Sequence, residues 1–381
     1  MSKHLSKDRK LLVVSDTGMV QRNGKMFAFG PVVKELQEIL VIFDSITWIG
    51  FNRPDQIENA SYLEIPSEKI NTILLKRVGG TSFLDKLKII TNYPVMWHII
   101  LSEIKKHQYI HVRAPSNPAY ISMLLSKNYP EKQFWFKYAG SWIEKASFFY
   151  DLQRKRLKKY QENYKVTVNG NWKYQPKHIV AFENPCLNEE DRLEGEKIVM
   201  SKDLSSEINY CFVGGLNENK GVLKILSAFS EIENANIGTL HIIGDGALKE
   251  ALKEKALAIK NKVIIHGYIS KQEIIELYKT CHFIILPSKS EGFPKVIGEA
   301  MNYSCVPIVS NVSCINQYIE NKKNGFLIEP NTVVVLKKII LQSLSLSKKE
   351  YNEINRINYI LAEKFTYANY NARISNELFK L

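Results

Sequence analysis

Two acids, Glu291 and Glu299, stand eight positions apart in the stretch SKSEGFPKVIGEAM (288–301), with a glycine and a proline between them. An ionised carboxylate is a pure acceptor, and its two oxygens can take both hydroxyls of a vicinal diol. Gly292 permits a close backbone approach. Phe293, Pro294 and Lys295 lead into an apolar-periodic run, a helix start with proline near its first position, where the missing N–H costs nothing. The first amides of such a helix suit a phosphate. Acids on both sides of an anion site make poor anion ligands but good acceptors for hydroxyls at the two ends of a diphosphate, a sugar at one end and a ribose at the other. Composition alone also allows a plainer account, with Glu291 a solvated loop residue and Glu299 a charge near the positive end of the helix dipole.

A second stretch, FVGGLNENKG (212–221), reads as strand, glycine turn and helix. Gly214 and Gly215 let the backbone curl under an anion, and Lys220 supplies a point charge beside the next helix start. The order G-x-x-x-x-G-K-[ST] of a Walker loop is absent. A third stretch, IIGDGALK (242–249), carries G-x-G at a strand end, but Lys249 stands where a dinucleotide fingerprint needs its third glycine. Gly244 therefore shapes a wall near a nucleotide base. Three such loops following strands of one domain point jointly to a nucleotide diphosphate. His241 and His266 lie within strands, where packing is the simpler reading, and the loop after His266 would face the same crevice. Arg113, beside His111 at the end of YIHVRA, is a candidate to touch phosphate or acceptor.

The elements that must position these residues are short β-rich runs alternating with helical patterns. In the first half the runs are LLVVS (11–15), EILVIF (38–43), YIHVRA (109–114), QFWFKY (133–138), YKVTV (164–168) and HIVAF (178–182), with helices over GPVVKELQEI and AYISMLLSKN. In the second half they are 210–214, 239–244, 262–267, 282–287, 305–310 and 325–328, with helices over 222–233, 247–258, 271–279 and 294–302. Continuous apolar strands between helices predict parallel sheets covered on both faces. In such sheets ligands bind at the carboxyl ends of the strands.

The 381 residues suffice for two domains. The net charge of +13 resides in residues 1–180, with 28 Lys and Arg against 15 Asp and Glu, so this half is expected to face something anionic. The five cysteines form no CxxC pair, which speaks for a reducing compartment and against zinc. The opening residues are too short an apolar run for a signal core, and no run reaches 18 apolar residues. The expected location is the cytoplasm, with peripheral attachment at the inner face of the membrane left open.

FVGGLNENKG, IIGDG, VIIHGYIS and above all PSKSEGFPKVIGEAMNYSCVPIVSN resemble the retaining nucleotide-sugar glycosyltransferases of family 4, over roughly 205–335. The resemblance implies an α/β, GT-B fold: two Rossmann-like doubly wound domains facing each other across a central cleft. It implies an acceptor-side domain over 1–185, a linker over 186–204, a donor domain over 205–355, and a terminal helix at about 360–381 packing back on the first domain. Glu299 would accept from the ribose and Glu291 would hold the donor sugar. Lys220 would neutralise the diphosphate, aided by the amides around Phe293 to Lys295. Gly18, in DTGMVQRNGKMF, resembles the mobile first-domain loop near donor and acceptor. Catalysis would be front-face, with the leaving diphosphate helping to deprotonate the acceptor hydroxyl and no divalent metal or other cofactor required. Two departures stand out. Gly215 occupies the place of a usual arginine, with Lys295, Lys220 or Arg113 as compensating cations. FWFKYAGSW lacks a usual histidine, with Lys137 nearest, a cation suited to a departing diphosphate.

The implied donor is a UDP- or GDP-sugar and the implied acceptor a hydroxyl of a glycan or lipid-linked glycan in cell-surface polysaccharide or glycoconjugate synthesis. Trp48 and Phe51 are expected to add to an acceptor groove. Residues 142–160, WIEKASFFY followed by DLQRKRLKKY, combine aromatics and cations as a surface for an anionic membrane does, although a solvated helix explains the same letters. A GT-B sugar-nucleotide epimerase or sugar phosphorylase would use the same donor loops. A non-catalytic basic module on membrane or polyanion would use the charge alone. No nucleic-acid motif is present.

Overall fold

The computed structural model describes residues 8–56, 61–76, 83–144, 147–160, 164–204, 207–379 and 381. The chain divides into two compact units, one of residues 1–182 with 371–381 and one of residues 183–370.

The first unit contains strands β1 (Lys10–Arg22), β2 (Lys25–Phe29), β3 (Ser45–Asn52), β4 (Tyr62–Glu64), β5 (Ile70–Leu75), β6 (Tyr109–Ala114), β7 (Gln133–Tyr138), β8 (Lys165–Val168) and β9 (Ile179–Ala181). Its helices are α1 (Gly30–Ile39), α2 (Phe83–Lys106), α3 (Asn117–Leu125) and α4 (Phe148–Lys158). Strands β5, β3, β1, β6, β7, β8 and β9 pair in that order and all in parallel. Leu11 to Val14 are all fully buried, as a central parallel strand requires.

EILVIF was expected as a strand, and here the structure corrects the sequence. The amphipathic period of α1 buries Val32, Val33, Leu36 and Ile39, so the helix claims the start of that run. Turn bonds from Ile42 and Phe43 to the Ile39 carbonyl close it, at 3.0 and 3.2 Å. Val41 is left exposed and the strand begins at Ser45. Gly18 likewise lies in no loop. Strand β1 passes through a register shift between Val14 and Gly18 and continues into a hairpin with β2, closed by Asn23–Gly24 at φ 48° and 78°. Trp48 is fully buried with its indole N–H on Ser15 Oγ at 2.9 Å, and Phe51 is buried too, so both are core rather than groove residues.

The second unit contains β10 (Ile208–Val213), β11 (Ile237–Ile243), β12 (Val263–Gly267), β13 (Phe283–Leu286), β14 (Val306–Ser310) and β15 (Phe326–Ile328). The parallel order is β12-β11-β10-β13-β14-β15. Its helices are α5 (Glu189–Ser201), α6 (Val222–Ser230), α7 (Lys249–Leu257), α8 (Lys271–Thr280), α9 (Lys295–Asn302), α10 (Val333–Leu344), α11 (Lys348–Ala362) and α12 (Tyr367–Arg373), the last of which crosses into the first unit. The acidic segment expected within a linker is helix α5. Asn188 and Asp191 form a reciprocal capping box at its start, and Tyr303 donates to Asp191 Oδ1 at 3.0 Å, fastening it within this unit. The last eleven residues group with the first unit. There Asn371 Nδ2 donates to the Glu38 carbonyl at 2.8 Å, and Phe379 packs edge-on against Phe43, Tyr109 and Trp135. All five cysteines are buried free thiols.

Candidate functional site

Glu291 and Lys220 are 71 residues apart in sequence and meet in space, Nζ to Oε1 at 2.5 Å. Their strands explain it. β10 and β13 are parallel neighbours, with Tyr210 opposite Phe283 and Cys211 opposite Ile284, so the loops leaving their carboxyl ends emerge side by side. Lys220 closes a short 3₁₀ turn (Glu218–Lys220) after β10, capped by Asn217 Oδ1. The pair keeps part of its surface open, with 25% of the lysine side chain and 10% of the glutamate accessible.

The loop carrying Glu291 is held by its backbone rather than by chance contacts. Lys289 N–H donates to the Asn219 carbonyl at 2.7 Å, and Asn219 Nδ2 donates to the Ser290 carbonyl at 2.9 Å. Asn331 Nδ2 reaches the carbonyls of Pro287 and Ser288 at 3.0 and 2.9 Å, while Lys224 Nζ holds Asn331 at its own carbonyl and Oδ1. Gly221, at φ 69°, lies so near that a Cβ there would stand 2.3 Å from the Pro287 oxygen. The conformation and the close approach both demand glycine.

The glycine loops pack on one another. A Cβ on Gly244, at φ 137°, would fall 1.9 Å from the Gly214 carbonyl oxygen, and Leu216 N–H donates to the Asp245 carbonyl at 2.9 Å. Gly244 thus serves the seam between two loops. Gly215 itself is exposed.

Glu299 belongs to a different cluster. It is half-buried on α9, accepting from Tyr278 Oη at 3.5 Å. Burial pushes its carboxyl upward, and Lys271 and Lys295 pull it back. Lys271 bridges onward to Asp191 at 2.8 Å. Helix α9 starts at Lys295 with Pro294 as its N-cap, and this cap makes no side-chain hydrogen bond. Phe293 is buried, stacked on Phe365 with centroids 4.8 Å apart. Its side chain anchors the loop in the core, and only its backbone faces the helix start. His266 Nε2 lies 2.9 Å from His241 Nδ1. Burial and the second ring push His241 down to about 4, and burial lowers His266, so the pair is neutral at neutral pH.

In the first unit Arg113 and Lys137 stand opposite each other in the register of β6 and β7 and converge on one carboxylate. Arg113 Nη1 and Lys137 Nζ reach Glu35 Oε1 at 2.7 and 2.9 Å. Glu35, Asn331, Asn219 and Lys271 escaped the sequence reading. A carboxylate interrupting the apolar stripe of GPVVKELQEI was the one available signal for Glu35. The aromatic and basic stretch resolves into helix α4, where Arg154 turns inward onto the carbonyls of Ser141, Trp142 and Glu144 at 3.1, 2.8 and 2.7 Å. Lys155, Lys158 and Lys159 stay exposed beside Phe148, Ile143 and Tyr150. Residues 145 and 146 lie outside the described residues.

Residues 200–359, which carry both acids and all three glycine loops, match the family described as glycosyl transferases group 1. This part of the chain is similar to that family. A UDP-Gal:alpha-D-GlcNAc-diphosphoundecaprenol alpha-1,3-galactosyltransferase of Escherichia coli is 30% identical over 155 residues, covering 39% of this chain and 38% of its own. An uncharacterized glycosyltransferase of Methanocaldococcus jannaschii is 28% identical over 167 residues, covering 41% of this chain and 46% of its own. The chain thus spans less than half the length of these curated relatives. Over nearly the whole chain the likeness is one of fold. Anabaena HepE in complex with UDP superposes with a TM-score of 0.68 at 14% identity, covering 98% of this chain and all of that one. A Rickettsia africae glycosyltransferase gives 0.67 at 20% identity, covering 98% of each. The fold is therefore GT-B, made of two Rossmann-like halves. Among the described residues no helix is long and apolar enough to cross a membrane.

Proposed function

We propose that the protein is a retaining glycosyltransferase that moves a sugar from a UDP- or GDP-sugar to a hydroxyl of a glycan or lipid-linked glycan, in polysaccharide or glycoconjugate synthesis. The observation that carries the reading is the half-open Lys220–Glu291 pair at the carboxyl edge of β10 and β13, inside the segment matched to the group 1 family. The ammonium is placed for a diphosphate, and the carboxylate for sugar hydroxyls. Each is the other's partner until the donor supplies phosphate to one and hydroxyls to the other.

In this reading Glu299 accepts from the ribose and the start of α9, with Lys295, faces the diphosphate. Gly215 leaves room for phosphate, Gly244 shapes the base wall and His266 borders it as a neutral ring. Retention follows from front-face attack, in which the leaving diphosphate takes the acceptor proton without a divalent metal. Arg113 and Lys137 are the first unit's candidates for the acceptor and for the departing phosphate. The relatives whose names mention a diphosphoundecaprenol acceptor and capsular polysaccharide support this acceptor class. They also favour an anionic membrane as the partner of the exposed α4 lysines. The test is nucleotide release and product formation over a panel of UDP- and GDP-sugars with added chelator. Glu291→Ala should lower turnover by orders of magnitude and Glu299→Ala should weaken nucleotide binding. Absence of turnover with every donor would defeat the reading.

A further inference from the structure

We infer that Glu35 is a positioning residue, which holds Arg113 and Lys137 side by side and presents the arginine as a fixed cation at the carboxyl edge of the first unit's sheet. The inference deepens the proposed function, because it rests on those two cations serving the reaction.

Three observations carry it. First, Arg113 and Lys137 are register partners on adjacent parallel strands and point to the same face. Strands lie about 4.8 Å apart, so two like charges placed there would turn away from each other without a shared counter-charge. A single oxygen, Glu35 Oε1, takes both. Second, exposure rises in one direction through the cluster, from 2% for the Glu35 side chain to 8% for Lys137 and 17% for Arg113. The carboxylate is the root and the guanidinium the tip. Third, the floor is sealed. Two residues back along each strand, His111 stacks on Trp135 with centroids 3.7 Å apart and planes at 22°. Burial, with Arg113 beside it, keeps His111 far below its ordinary pKa, so a neutral ring does not compete for Glu35. In such a buried setting the charge-assisted bonds are stronger than in water.

A helix that needed only packing would carry an apolar residue at position 35, in line with Val32, Leu36 and Ile39. A carboxylate here costs burial energy that packing alone does not recover. What it supplies is direction for two side chains that would otherwise be long, flexible and mutually repelled.

The experiment uses the full chain and three variants. Glu35→Gln keeps shape and removes the charge, Glu35→Asp restores the charge on a shorter arm, and Leu36→Ala is a core control on the same helix. Two readouts are taken at a temperature where all remain folded: steady-state transfer from the best nucleotide sugar, and the rate of phenylglyoxal modification at Arg113 followed by peptide mass. Glu35→Gln should lower kcat by on the order of 10- to 100-fold, the cost of a misplaced group. The KM for the donor should change little and Arg113 should react several-fold faster. Glu35→Asp should recover part of both, and Leu36→Ala should move neither. Unchanged Arg113 reactivity in Glu35→Gln, or an equal rise in Leu36→Ala, overturns the inference. So does an unchanged kcat while that of Glu291→Ala falls by orders of magnitude, since the cluster would then be structural. Should the wild-type protein transfer no sugar, the proposed function fails by itself, and the Arg113 labelling still decides whether Glu35 positions it.

Discussion

Both units gather opposite charges at the carboxyl ends of parallel strands, yet they build the gathering differently. In the second unit both partners, Lys220 and Glu291, come from loops, and the pair is half-open. In the first unit the cations sit on strands, the carboxylate sits on a helix, and the cluster is nearly closed. A loop-borne ion pair in partial contact with water exchanges partners at small cost, as a site that must take up and release a ligand requires. A closed cluster resists exchange and keeps geometry, because breaking a buried pair strands a charge. The same fold thus offers one edge suited to exchange and one suited to fixed orientation.

The largest expected effect tests the exchanging edge. Glu291→Ala should lower transfer by roughly 10²- to 10³-fold in kcat, followed by nucleotide release. If Lys220 and Glu291 act on one donor, Lys220→Ala added to it should cost much less than it does alone. Additive losses would separate the pair and break the comparison. Next comes the support of that edge. Asn331→Ala removes the bonds to the Pro287 and Ser288 carbonyls and should slow transfer about tenfold by loosening the loop, with donor binding measured in parallel by calorimetry.

A smaller effect concerns stability and pH in the second unit. His282 is buried, accepts a hydrogen bond from Asn209 N–H at 3.0 Å, and is pushed down to about 4 by burial and by Lys202. Its folded pKa lies below the unfolded one, so its contribution is complete above about pH 6.5, falls as the unfolded chain takes up a proton, and levels off below about pH 4. At pH 5 the loss is about 2 kcal/mol, or roughly 5 °C in melting temperature. Melting curves of wild type and His282→Gln between pH 7 and 4.5 should show the variant losing less. Parallel curves would remove this histidine from the account.

The effect furthest from the transfer chemistry belongs to α4. Changing Lys155, Lys158 and Lys159 to serine should weaken pelleting with phosphatidylglycerol vesicles by about 1 kcal/mol per lysine while leaving transfer to a water-soluble acceptor intact. Arg154→Ser, by contrast, should lower the melting temperature, since that side chain ties three loop carbonyls. Unaltered pelleting of the triple variant would take α4 out of the membrane reading.

Legibility followed the same division. The strands of the second unit and the loops after β10 and β13 could be read directly, because glycine, proline and charge stand next to continuous apolar runs. Strand β3 could not, since Ser, Thr and Gly break the apolar run in SITWIGFN while EILVIF next to it is a better hydrophobic match. Helix period won over β-propensity there, as the core side of α1 needed Ile39. The 183–197 segment looked like a linker because its acids are many. Three of those acids, Glu189, Glu190 and Asp191, sit in the first turn of α5, where capping and the helix dipole favour them.

The amino-acid order alone determined which segments of the second unit become strands, which glycines turn, and that Lys220 and Glu291 follow strand ends with Glu299 in the next helix, because these follow from local periodicity and backbone freedom. Only the tertiary structure decided that Lys220 meets Glu291, that Glu299 joins Tyr278, and that Glu35 gathers cations 78 and 102 residues away. Such meetings depend on strand order and register, which are settled by the burial of whole faces, and no local spacing encodes them.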